Sequence, residues 1–127
     1  MTKEQLHKKL QQLNTEDFIW IIYLGIIALS YLSNHYERNY FIHQYEKDKE
    51  TYRKIMILIF SILILVYLYF LKDSYQDFKN LSPTDSSQKK TLVTLSFLAS
   101  LLIAISGFIF LYIALVDEEL TVELAFN

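Results

Sequence analysis

Cysteine is absent from this 127-residue chain, proline occurs once and glycine only twice. Without cysteine there is no disulfide, no thiolate metal site and no cysteine lipidation. Both glycines, Gly25 and Gly107, lie inside apolar stretches, so no glycine-rich phosphate loop or dinucleotide-binding turn is available. No nucleophile elbow or metalloprotease histidine pair occurs either. Basic residues stop at Lys90, and the last eleven positions carry Asp117, Glu118, Glu119 and Glu123 with no base. No segment outside the apolar stretches is strongly basic, which argues against nucleic acid as a partner. The expected protein is not an enzyme and holds no cofactor and no metal.

What the chain does contain is apolar sequence in blocks. The apolar fraction is 53% and the charged fraction 20%, and the apolar residues fall into three runs separated by segments dense in Lys, Glu, Asp and Asn. The central run, Ile55 to Leu71, has thirteen Leu, Ile, Val or Phe among seventeen residues and is bracketed by Lys54 and Lys72. At about 0.3 to 0.6 kcal/mol for each such residue, membrane insertion is favoured by roughly 4 to 8 kcal/mol. Its length as a helix is about 26 Å, which flanking Tyr and Lys extend to a hydrocarbon core roughly 30 Å thick. Phe18 to Ser33 and Thr91 to Val116 are the other two runs, and none of the three contains Asp, Glu, Lys, Arg or His. Residues before Phe18 are acidic and no small-x-small site follows Ala28, so the first run is read as a membrane helix and not as a cleaved signal.

The expected fold is therefore an all-α integral membrane protein, with three transmembrane helices in an up-down-up bundle and helices 1 and 2 extending beyond the bilayer. Residues 1–14 form an interfacial or flexible tail, with Leu6, Leu10 and Leu13 on one helical face. Helix 1 covers 16–46, its N-cap at Asn14 or Thr15 with Glu16 and Asp17 in the first turn. Helix 2 covers 48–80 with Asp48 as its cap, and bulky side chains all round suit it to lipid. Helix 3 covers 83–117, opened by Ser82, Pro83 and Asp85 as cap, first residue and third residue. The acidic tail, 118–127, alternates apolar and polar residues and reads either as an extended strand or as an amphipathic continuation of helix 3.

Helix 3 differs from helix 2 in its small residues. Ser96, Ser100, Ala104, Gly107 and Ala114 recur near one face in the pattern that lets membrane helices approach closely, and Gly25 with Ala28 offers a shorter version on helix 1. These seven are the expected helix-packing interface. His35, His43 and Glu46 in the first loop, and Asp73 with Asp77 on helix 2, are better read as solvated side chains than as metal ligands. The hydroxyls of Ser61, Thr94, Ser96, Ser100 and Ser106 serve helix contacts in this reading.

Intramembrane charges mark ion and proton pathways, so their absence weakens any carrier or pump. The expected function is that of a non-enzymatic structural or interaction subunit in the lipid bilayer, packing through helix 3 on a copy of itself or on a larger membrane protein. The alternative is an oligomeric pore or small transporter. Seven Lys and Arg in the N-terminal tail and second loop, against five in the first loop and none at the end, place the N-terminus in the cytoplasm and the C-terminus outside. The richness in Ile, Lys, Asn and Tyr is that of an AT-rich genome and suggests a bacterial source.

Overall fold

In the computed structural model, which describes residues 2–124, all regular structure is α-helical. The helices are α1 (Lys3–His43), α2 (Glu46–Lys79) and α3 (Ser87–Val116). Each contains a stretch long and apolar enough to cross a membrane.

The cap of helix α1, Thr2, lies twelve or thirteen residues before the expected one. The Thr2 hydroxyl accepts from the Gln5 backbone while the Gln5 side chain accepts from the Thr2 backbone, a reciprocal capping box. Nothing between Lys3 and His43 stops the helix, since Gly25 is its only glycine and it has no proline. Thr15 does not cap; its hydroxyl donates to the Gln11 carbonyl one turn back. Residues 3–14 are therefore the first turns of a 41-residue rod, roughly 60 Å long.

The first turn is tighter than expected. Gln44 takes the left-handed conformation (φ 58°) and its N–H bonds the Tyr40 carbonyl at 2.7 Å. Helix α2 follows at once, with Tyr45 at the cap position and no side-chain cap; Asp48 lies within its first turn. Two connecting residues force an antiparallel hairpin. Gln12 near the start of α1 thus bonds Asp73 near the end of α2, while Tyr40 faces Lys49.

The second connection corrects the start of α3 by four residues. Asp85 returns its carboxylate to the Ser82 N–H at 2.7 Å, while the Asp85 N–H bonds the Ser82 carbonyl. Those contacts close Ser82 to Asp85 into a turn that does not propagate. Ser86 then caps the helix by accepting from the Lys89 N–H.

Helix α2 is the centre of the molecule, although Leu58, Leu65 and Leu68 leave one side of it exposed. Helices α1 and α3 each pack along it, and no Cα atoms of α1 and α3 come within 8 Å of one another. Phe60 stacks on Phe110 with centroids 5.4 Å apart, Phe78 stacks on Phe97, and Gly107 sits against Ile64 and Tyr67. Met56, Ile59, Phe60 and Leu63 are sealed from the surface. A helix that is apolar on every side can serve two neighbours at once, and this uniformity sends α2 inward.

Beyond α3 the acidic tail is neither strand nor helix through Leu124. Asp117 accepts from the Thr121 and Val122 N–H groups and from the Thr121 hydroxyl. Leu120 is left-handed (φ 54°), and the chain folds back to bury Leu124 in the core cluster that holds Tyr52, Met56 and Ala114. The alternation of Ala125 to Asn127 lies outside the described residues.

Candidate functional site

The seven residues of the expected interface separate in three dimensions. Ala104, Gly107 and Ala114 are buried in the α2–α3 contact. A Cβ at Gly107 would stand 3.0 Å from the Tyr67 ring, so the missing side chain is what lets that ring lie on the α3 backbone. Ser100 is half-buried, whereas Gly25, Ala28 and Ser96 are exposed, and a Cβ at Gly25 would meet nothing. The helix 3 stripe is thus largely spent inside the chain.

Because α1 and α3 lean on α2 without meeting, a cleft opens between them. One part, about 190 Å³, is lined by Tyr23, Tyr67, Phe70, Ser100 and Ile103. A second, about 350 Å³, is lined by Trp20, Tyr23, Ile26, Ile27 and Tyr67, so the two tyrosines are shared. Trp20 packs edge-on against Tyr23 at 5.7 Å. The walls carry no charge and three hydroxyls.

The hydroxyls of the apolar stretches fall into two groups. Ser33, Ser61, Thr94 and Ser106 each donate to a carbonyl three or four residues back on their own helix, at 2.7 or 2.8 Å. This is how a hydroxyl is satisfied in an apolar setting. Tyr23, Tyr67 and Ser100 have no hydrogen-bond partner among the described residues, and neither do Ser30, Tyr31, Ser96 and Tyr112, which do not line the cleft. Sequence reasoning found Ser100 as a small residue and missed the tyrosines, whose meeting depends on the splay of α1 from α3.

A polar cap closes one end of the molecule. Arg53 donates to the Leu115 carbonyl at 3.0 Å and so satisfies an unpaired group at the negative end of α3. Burial, then the neighbouring Glu37 carboxylate to which it donates, pushes the Tyr52 phenol well above its usual range. Lys49 pairs with Glu46 at 3.1 Å, which raises its pKa, and lies over the Tyr40 ring. Burial acts to raise the pKa of Asp117, but the hydrogen bonds from Thr121, Val122 and Glu119 outweigh it and hold the carboxyl below its ordinary value. At the opposite end burial, then Asp77 and Glu16, raises the pKa of Asp73.

These polar residues knit the ends together. His35 contacts Asn39 and His43 stacks on Tyr45. No group of three potential metal ligands comes together among the described residues. No protein-family model matches the chain, and neither a curated protein nor a solved structure shows significant similarity to it. What the fold does establish is three apolar helices of membrane-crossing length, which fit a small membrane protein.

Proposed function

We propose that the chain is an integral membrane protein with three spans running up, down and up, and that it is a non-enzymatic interaction subunit. Its N-terminus and α2–α3 loop lie in the cytoplasm and its acidic tail outside. The observation that carries this reading is the outer face of α1. Gly25 and Ala28 are exposed there beside Ile21, Leu24 and Leu32, with open space where a Gly25 side chain would stand. Small residues on an apolar face admit the backbone of another helix, from a second copy or from a larger membrane protein. Since Ala104, Gly107 and Ala114 are occupied by α2, the outward contact moves from α3 to α1.

The absence of native cysteine makes the test clean. A single cysteine at Ala28 should crosslink copies of the chain, or the chain to a co-purifying protein, in native membranes; Gly25→Leu should abolish the product without changing helicity. Equal crosslinking from Ala28 and from Leu65 on the outer side of α2 would refute the contact. An oligomeric pore or small transporter is the alternative. It needs several copies, because three helices in a layer enclose no lumen, and liposome flux would reveal it.

A further inference from the structure

We propose that the cleft between α1 and α3 binds a neutral, membrane-dissolved lipid whose planar ring carries carbonyl oxygens. Its donors are the hydroxyls of Tyr23, Tyr67 and Ser100. This rests on the reading that the three helices lie in a bilayer.

Three observations select that chemistry. The first is the set of unpartnered hydroxyls. In hydrocarbon no water competes for them, and a polar group left alone there is costly. Four hydroxyls in the apolar stretches turn back on their own helices; of those that do not, Ser30, Tyr31, Ser96 and Tyr112 stand outside the cleft, whereas Ser100 and the phenols Tyr23 and Tyr67, which cannot reach their own backbone, line it. All three line one chamber. A ligand that offers acceptors satisfies them together.

The second observation is the lack of charge in the lining. A phosphate or ammonium group would enter without a counter-ion, at the cost of its hydration. The ligand is therefore neutral.

The third is the shape of the walls. Tyr67 is backed by Gly107, where a Cβ would stand 3.0 Å from the ring, and Tyr23 is braced edge-on by Trp20 at 5.7 Å. Aromatic faces held from behind are suited to a flat ring between them. The 190 Å³ chamber takes the ring and the adjoining 350 Å³ chamber beside Trp20 takes the start of an apolar tail. Apolar clefts with a few converging polar groups, between helices of a bundle, are the usual form of small-molecule sites.

Trp20 is the only tryptophan and lines the second chamber, so its fluorescence reports occupancy. The probe is decylubiquinone, titrated into nanodiscs containing the full chain, with decylbenzene as a tail-matched compound lacking carbonyls. Quenching of Trp20 should saturate, and decylbenzene should not relieve it. Tyr23→Phe, Tyr67→Phe and Ser100→Ala should each raise the half-saturating mole fraction by about three- to tenfold, with helicity unchanged. Linear quenching that is identical in the triple variant would show a quinone merely dissolved in the lipid and would overturn the proposal. Displacement by decylbenzene would also overturn it, by showing a groove for acyl chains. Brominated lipids separate this from the membrane reading: if they quench Trp20 while decylubiquinone does not saturate, only the ligand site fails; if they do not quench Trp20, both fail.

Discussion

Helices α2 and α3 are equally apolar over their membrane-crossing stretches, yet a third of that stretch of α2 is buried inside the molecule and only 17% of that of α3. Apolarity alone therefore does not decide which helix is central. What separates them is the distribution of bulk. Helix α2 presents large side chains in every direction and fills the space toward two neighbours. Helix α3 offers a face of small residues, at Ala104, Gly107 and Ala114, sets Phe97 and Phe110 against rings of α2, and turns bulk such as Leu102, Phe108 and Tyr112 outward. A face of small residues supports one close partner, whereas uniform bulk supports two looser ones.

The sharpest way to break this contrast is to remove the same side chain from both helices. Phe60→Ala on α2 should cost about 3–5 kcal/mol, because a sealed cavity replaces a ring stacked on Phe110. Phe108→Ala on α3, where the side chain is 51% exposed, should stay within about 0.5 kcal/mol. Unfolding in mixed micelles checks both, and equal losses would erase the distinction. Next in size is a comparison of the two glycines. Gly107→Leu should cost about 1–3 kcal/mol by forcing the Tyr67 ring away. Gly25→Leu should leave the stability of the isolated chain unchanged.

A smaller effect should come from Arg53→Met, which keeps the apolar stem but leaves the Leu115 carbonyl unpaired. The cost should be about 1–2 kcal/mol, seen as faster hydrogen exchange over the last turn of α3 and the tail, with α1 unaffected. The smallest effects are those of pH, and they have opposite signs at the two ends. Asp117 is held below its ordinary 3.8, so its contribution is complete above that value and disappears as pH falls through the lower folded value. Asp73 lies above 3.8, so its contribution is complete below that value and disappears as pH rises through the folded one. Acidification toward pH 3.8 should slow exchange around Asp73 and Gln12. Further acidification should loosen the tail, and Asp73→Asn and Asp117→Asn should each flatten only their own response.

The three apolar runs were legible because seventeen residues of one character cannot be anything but a long helix in a chain with so few breakers. Boundaries were less so. Asn14 and Thr15 look like a cap, but a cap is needed only where a helix begins, and nothing upstream had ended this one. Ser82-Pro83-Thr84-Asp85 has the composition of a helix start and makes the hydrogen bonds of one, yet closes on itself because Asp85 returns to Ser82. The placement of α2 was readable in principle from its all-round apolarity. The cleft was not, since Tyr23 and Ser100 meet Tyr67 only because α1 and α3 rest on different faces of α2. The tail was hidden for a similar reason: its anchor is the burial of Leu124 against Tyr52 and Met56.

The most direct test of the central claim is spin-label accessibility in liposomes, with single cysteines at Ile59, fully buried on α2, and Phe108, outward on α3. The account predicts that position 108 is open to dissolved oxygen and closed to a water-soluble nickel complex, while position 59 is closed to both. Nickel access at 108, or oxygen access at 59 equal to that at 108, would contradict it.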